Sequence, residues 1–330
     1  MAMEGEGEGE GKEVPEVLVL GPPWVFSTLE SQFPNKFRYL KPWLFPQLPL
    51  HQFLTSYAQS TEALLMPVIP LLNSATLDCL PSLKLVVTAS AGVEHLNLAE
   101  LRGRGIAVAY AGNVFSEDVA DMAVGLLIDV LRKVSAGDRF VKQRLQPTKL
   151  HFPLGSKLSG KQIGIVGLGK IGTEVARRLE GFGCTISYNS RTKKPLVSYS
   201  YYSNVHELAT NCEVLIICCG LTEETRHMIN REVMLALGKD GVIINIGRGA
   251  VIEEKEMIRC LIEGEIGGAG LDVFEFEPEI PKQLFTLDNV VLSPHAAITT
   301  HESFGGMAKL AVENLEAFFS NKPLVSPYLA

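Results

Sequence analysis

Residues 162–188 constrain the fold more than any other stretch of the chain. An apolar run, Gln162–Val166, leads into Gly167-Leu-Gly169-Lys-Ile-Gly172. Ile171, Val175 and Leu179 then recur at helical spacing, and a second apolar run follows at Thr185–Tyr188. Strand, glycine turn, amphipathic helix and strand make a βαβ unit. Within such a unit each glycine has a separate task. Gly167 permits the tight turn, Gly169 lets a pyrophosphate approach the backbone, and Gly172 lets the helix pack close to the strand. The phosphates then meet the amides that open the helix, at Lys170 and Ile171. The context therefore points to a bound dinucleotide.

The end of the second strand selects which dinucleotide. An acidic residue there accepts hydrogen bonds from a ribose 2′-OH. This chain instead reads Asn189-Ser190-Arg191-Thr192-Lys193-Lys194. An arginine, two hydroxyls and two lysines suit a 2′-phosphate, so the expected cofactor is NADP.

Further strands are expected at Val214–Cys218, Val242–Ile246, Gly267–Val273 and Val290–Ser293. Their continuous apolar character fits parallel strands covered on both faces. Upstream, Glu16–Leu20, Ala63–Val68, Leu83–Ala89 and Ile106–Ala109 read as a second parallel set. Leu98–Arg102 is an expected short helix with Asn97 as its N-cap. Ser116 is the expected N-cap of a strong helix reaching Arg132, which is expected to cross from one domain to the other. A final helix starts near Thr300, where Thr299 and Glu302 have capping-box spacing. The expected class is α/β with two parallel-sheet domains, and 330 residues suffice for both cores.

Composition excludes several other classes. Hydrophobic residues are 46% of the chain and charged residues 20%, as in ordinary globular proteins rather than disordered or fibrous ones. The net charge of −7 provides no global basic footprint for nucleic acid. No apolar run reaches the length of a membrane span. The glycine-rich acidic residues 1–13 read as a disordered tail, not a targeting signal. Six cysteines without CxxC pairing fit a reducing compartment, so a cytoplasmic location is expected. No cluster of His, Cys and carboxylates has metal-ligand spacing, and no metal is expected.

Charged residues also recur at successive strand ends, where ligands bind in open α/β sheets. Arg248 follows one strand; Asp272, Glu275 and Glu277 follow the next; His295 follows the last. In this setting the chain resembles the D-isomer-specific 2-hydroxyacid dehydrogenases over nearly its whole length after the tail. The motifs that carry the likeness are Gly167–Gly172, Leu221-Thr-Glu-Glu-Thr-Arg226, Ile244-Asn-Ile-Gly-Arg-Gly249, Gly270-Leu-Asp-Val-Phe-Glu-Phe-Glu-Pro278 and Ser293-Pro-His295. Within the family, Gly183–Thr192 and Phe318–Leu324 are similar to the plant-type glyoxylate/hydroxypyruvate reductases.

The resemblance implies a Rossmann cofactor domain, 116–296, inserted into a flavodoxin-like substrate domain made of 14–115 and 297–330. It also implies a homodimer joined through the cofactor domains. On the family's pattern Arg248 binds the keto acid, Glu277 hydrogen-bonds His295, and His295 is the general acid. Ala91 and Gly92 look like the turn whose amides hold the substrate carboxylate. Gly220, Thr225, Ile246 and Asp272 are expected at the cofactor, with Asp272 at the nicotinamide carboxamide. Glu275 is the local rival of Glu277.

The implied reaction is NADPH-dependent reduction of a small 2-keto acid, glyoxylate or hydroxypyruvate. The alternatives are a hydroxyphenylpyruvate reductase, a dinucleotide-sensing binding protein like the corepressors of this fold, and a phosphoglycerate dehydrogenase. The last often carries a regulatory domain for which this chain has no spare length. Two departures bear on substrate choice. Many relatives have Gly-x-Trp after the interdomain helix, whereas Val141–Pro147, including Gln146, contains no Trp. Ala296-Ala297-Ile298 follows His295 where the family often has Gly and a small residue.

Overall fold

The structure, a computed structural model, describes residues 14–30, 35–67, 72–90, 92–93, 95–142 and 152–329. The tail at 1–13, Ala91 and Gln146 lie outside the described residues. The chain divides into two compact units, Met1–Gly112 with Phe304–Ala330, and Asn113–Ser303.

The first unit alternates strands and helices. β1 (Glu16–Val19), α1 (Pro23–Leu29), β2 (Arg38–Leu40) and α2 (Leu50–Tyr57) are followed by β3 (Ala63–Met66), α3 (Ser74–Asp78), β4 (Leu85–Thr88), α4 (Leu98–Gly103) and β5 (Ala107–Ala109). All strand pairs are parallel, in the order β2-β1-β3-β4-β5. That is the flavodoxin-like doubly wound order. Leu18, Leu64, Met66, Val86, Phe53 and Leu101 are among the buried side chains of its core. Asn97 caps α4 as expected, its side chain accepting from the amide of Glu100. The free edge of β5 is covered by the C-terminal segment. Tyr328 N–H donates to Val108 O, and Tyr110 N–H donates to Ser326 O. Asn314, almost fully buried, accepts from the amides of Val325 and Ser326 and so fixes that segment.

The second unit opens with α5 (Ser116–Arg132) and α6 (Val134–Lys142). Then come β6 (Gln162–Val166), α7 (Lys170–Gly181), β7 (Thr185–Asn189), β8 (Ser200–Tyr202), α8 (Val205–Thr210), β9 (Val214–Ile217), α9 (Arg231–Leu237), β10 (Val242–Asn245), α10 (Glu254–Glu263), β11 (Gly268–Leu271) and β12 (Val290–Leu292). The seven-stranded sheet is parallel throughout, ordered β12-β11-β10-β9-β6-β7-β8. The order reverses at β6, so a crevice opens there outside the carboxyl ends of β6 and β9, the position where Rossmann sheets hold dinucleotides. α11 (His301–Phe319) contains the boundary between the units.

Three local expectations are corrected. Ser116 is the first residue of α5 rather than its cap, because Phe115 before it is already right-handed helical and the turn from Asn113 runs straight in. α5 also lies wholly within the second unit, where Leu126 packs close to Gly270 of β11 and Arg178 pairs with Asp121. At α11 the capping oxygen is that of Thr300, which accepts from Ser303 N–H; Thr299 N–H instead turns back to Ala296 O.

Candidate active site

At the end of β6, Gly167 has φ +95°, in the region that favours glycine. Close packing also requires the third glycine, since a Cβ on Gly172 would stand 2.2 Å from Gly167 O. Gly169 is different. A Cβ there would meet nothing within 4 Å, and this residue caps α7 without any side-chain hydrogen bond. Thr173 is the first residue of α7 to return its amide to the turn, donating to Gly169 O. The amides of Lys170, Ile171 and Gly172 precede that first bond and stand at the positive end of a helix dipole, beside open space at Gly169, a fit for a pyrophosphate.

The strand end that would meet the ribose is tied to this turn by Gly167 N–H donating to Asn189 O, 2.8 Å. Ser190 Oγ donates to Thr192 O, 2.7 Å, closing the basic turn on itself. Arg191, Thr192 and Lys193 are exposed. Glu224, across from this turn, is held below the usual carboxylate range, first by the Thr222 hydroxyl and backbone and then by the charge of Arg191. Thr225 Oγ1 donates to Gly220 O, 2.8 Å, and accepts from Thr222 N–H, so these two expected cofactor residues share one tight turn after β9. Ile246 is buried at the end of β10.

Arg248 is set by a residue that sequence reasoning left without a role. Asn245, almost fully buried, accepts from Gly247 N–H and donates to Arg248 O, both at 3.0 Å. Gly249 then passes so near Phe274 that a Cβ on it would lie 1.9 Å from the Phe274 carbonyl carbon. The turns after β10 and β11 are thereby locked together.

The turn after β11 carries both acidic candidates, and they separate. Glu277 Oε2 lies 2.8 Å from His295 Nδ1, while its Oε1 accepts from Phe274 N–H. Glu275 faces His227 instead, at 2.6 Å. Burial alone would raise the Glu277 pKa. The hydrogen bonds from His295 and Phe274, with the positive charges of His295 and Arg248, outweigh it and hold the carboxyl low. The Glu277 hydrogen bond raises the His295 pKa against its desolvation and against Arg248, with help from Asp272.

Asp272 is 1% exposed. One carboxylate oxygen accepts from Ser293 Oγ and Ala296 N–H, the other from Ala297 N–H, and its carbonyl accepts from His295 N–H. His295 has φ +53°, unusual for a side chain with a Cβ, and this set of bonds holds it there. Gly92 sits in the first unit, in a turn after β4 where Ser90 Oγ donates to its carbonyl.

Comparison with known proteins adds independent findings. Residues 124–297 match the profile of the D-isomer specific 2-hydroxyacid dehydrogenase, NAD binding domain. The chain is 51% identical to a glyoxylate/hydroxypyruvate reductase of Arabidopsis thaliana over 95% of its own length and 97% of the relative's. It is 45% identical to the hydroxyphenylpyruvate reductase of Plectranthus scutellarioides, over 91% and 95% of the two chains. Among solved structures, the NADPH-dependent glyoxylate/hydroxypyruvate reductase of Sinorhizobium meliloti, in complex with NADP and malonate, superposes with a TM-score of 0.84 at 32% identity. That likeness covers 96% of this chain and 97% of the other. No helix among the described residues is long and apolar enough to cross a membrane.

Proposed function

The chain belongs to the D-isomer-specific 2-hydroxyacid dehydrogenases, and from that premise we propose that it reduces glyoxylate or hydroxypyruvate with NADPH. The observation that carries the reading is the pairing of Glu277 with His295 beside Arg248, in the unit whose glycine turn opens onto uncapped amides. The second unit is the cofactor domain in this reading. The coenzyme, when bound, supplies the hydride for C2 of the keto acid. Gly167, Gly169, Lys170, Ile171 and Gly172 bind its pyrophosphate, and Ser190, Arg191 and Thr192 its 2′-phosphate. Gly220, Thr225, Ile246 and Asp272 are its further contacts, with Asp272 at the nicotinamide carboxamide.

A 2-keto acid is an anion, and the planar guanidinium of Arg248 offers it two donors at once. As negative charge builds on the substrate oxygen, Arg248 stabilises it and His295 delivers the proton. Glu277 keeps that proton on His295 near neutral pH. Asp272 holds His295 in place through the backbone. Ala91 and Gly92 are assigned to the substrate carboxylate in the first unit.

The 45% identity to a hydroxyphenylpyruvate reductase favours 4-hydroxyphenylpyruvate as the second candidate substrate. A homodimer is proposed as well: α6 buries none of its side chains, and Val141 is 73% exposed and Leu154 95%. With a net charge of −7 and no apolar spanning helix among the described residues, the working assignment is a cytoplasmic enzyme without nucleic-acid partners. The test is a panel assay following NADPH absorbance with glyoxylate, hydroxypyruvate, 4-hydroxyphenylpyruvate and pyruvate. Turnover of either of the first two supports the reading, preference for the third moves it to the aromatic acid, and flat traces throughout reject it in favour of a dinucleotide-sensing protein.

A further inference from the structure

A second histidine–glutamate pair shares the turn after β11 with the first. His227 Nε2 and Glu275 Oε1 are 2.6 Å apart. Facing a carboxylate oxygen, that ring nitrogen must carry the hydrogen and donate it. Glu275 N–H in turn donates to Glu254 Oε2, 3.0 Å, and Glu254 is only 4% exposed. The same segments are joined by backbone. His227 N–H donates to Ala250 O and Ile229 N–H to Val251 O, while Glu253 N–H returns to Ile229 O. Gly249 closes the layer against Phe274.

The layer touches both halves of the reacting pair's support. Arg248 precedes Gly249, and Glu277 lies two residues beyond Glu275 with its Oε1 on Phe274 N–H. His227 has φ +52°, nearly the value at His295. Positive φ is uncommon for a residue with a Cβ, though His shares with Asn a higher tolerance of it, and the backbone bonds of this segment accompany it while the ring keeps its contact. Three carboxylates are crowded here. Burial, and then the charges of Glu275 and Glu277, push the Glu254 pKa up. Each of the three meets a donor: the Glu275 amide for Glu254, His227 for Glu275, and both His295 and the Phe274 amide for Glu277.

We propose that His227, Glu275 and Glu254 form a non-reacting layer that sets the position of Glu277, making His227 and Glu254 positioning residues for proton transfer by His295. The proposal rests on the keto-acid reductase reading above. Without His227, the largely buried Glu275 side chain loses its donor, and the loop it shares with Glu277 must shift to hydrate it. Glu277 then no longer meets His295 at 2.8 Å, leaving Arg248 and Asp272 as the other charges that face the ring.

The variants that test this are His227→Asn and His227→Gln. Asn tolerates positive φ but is too short to reach Glu275, whereas the Gln amide nitrogen falls where the ring Nε2 stood. Measured for each are kcat and KM on hydroxypyruvate across pH, NADPH affinity by fluorescence, and Tm. Loss of one hydrogen bond to a charged group predicts about a tenfold fall in kcat for His227→Asn. The basic limb of its rate–pH profile should move to lower pH, with NADPH affinity unchanged. His227→Gln should recover both. A lowered Tm with an unmoved basic limb would reduce the layer to a structural clasp, and a Gln variant as impaired as the Asn variant would overturn the proposal. An unmodified chain inactive on the whole keto-acid panel overturns the functional reading itself. An active chain matched by its Asn variant overturns the positioning role alone.

Discussion

Glu277 reaches His295 Nδ1 with one carboxylate oxygen, at 2.8 Å, and anchors the other on the amide of Phe274 three residues earlier in its own turn. The carboxylate is therefore oriented within its own turn, and Nε2 is the ring nitrogen that Glu277 does not hold, the one proposed to deliver the proton.

The first prediction follows from the charge of that pair. His295 keeps its proton to higher pH than an ordinary histidine, chiefly through the Glu277 hydrogen bond. The proposed mechanism needs the protonated ring, so activity should be full below this raised pKa and fall as pH rises through it. Glu277→Gln retains a hydrogen-bonding side chain but not the charge. The basic limb should move to lower pH, as read from kcat/KM profiles of the two proteins. A limb that stays in place would take Glu277 out of the mechanism.

His295→Ala removes the donor altogether. The rate of hydroxypyruvate reduction should fall by about 10²-fold or more, the usual scale for a positioned general acid. NADPH affinity should change little, because the proposed coenzyme contacts lie at the glycine turn and the β7 end. Near-normal turnover between about pH 6 and 8 would assign the proton to another group.

Much of this site was legible because its signals are local. Gly167, Gly169 and Gly172 are spaced by the geometry of one turn, and the parallel strands appear as uninterrupted apolar runs. The short strands Arg38–Leu40 and Ser200–Tyr202 lie at sheet edges and carry partly exposed side chains, so neither periodicity nor apolarity marks them. The anchoring role of Asp272 was not legible, because its carboxylate is bonded to Ser293, Ala296 and Ala297, residues more than twenty positions away. Asn245 and His227 were missed for the same reason. A turn-shaping amide and a histidine that meets a neighbouring turn announce themselves only when the segments they join are brought together.

Asp272→Ala should expose how much His295 depends on that anchor. The amides of Ala296 and Ala297 lose their acceptors, at a cost of roughly 1–3 kcal/mol for each donor left buried and unpaired. Both the urea midpoint and kcat should fall. An undiminished kcat would mean that His295 keeps its place without Asp272.

The glycine turn offers two substitutions with opposite signatures. Gly172→Ala puts a Cβ 2.2 Å from Gly167 O, so the turn or the helix must shift. Overpacking of this kind typically costs about 1–3 kcal/mol, and Tm of the free protein should drop. Gly169→Ala meets nothing within 4 Å, so Tm of the free protein should stay unchanged. Its methyl group would occupy the space proposed for pyrophosphate, and NADPH binding measured by fluorescence should weaken. Full coenzyme affinity in Gly169→Ala would place the phosphates elsewhere.

Coenzyme choice is the last prediction. A carboxylate after β7 would pair with a ribose diol and repel a 2′-phosphate, and this chain has none there. Arg191 is exposed and makes no hydrogen bond or ion pair among the described residues, so its donors remain available to a phosphate. Ser190 is already bonded to Thr192 O, which makes its hydroxyl a turn-former and leaves Arg191 as the main contributor. Hydrogen bonds to charged groups are worth roughly 1.5–3 kcal/mol each, reduced here by solvent, which gives a preference for NADPH of about ten- to a hundredfold in kcat/KM. Arg191→Ala should weaken use of NADPH and leave NADH nearly untouched. Ser190→Asp should repel the 2′-phosphate and improve NADH through the 2′-OH. Comparing kcat/KM for both coenzymes in the three proteins decides the matter. An unmodified enzyme that uses NADH as well as NADPH would show that this basic turn does not contact the ribose.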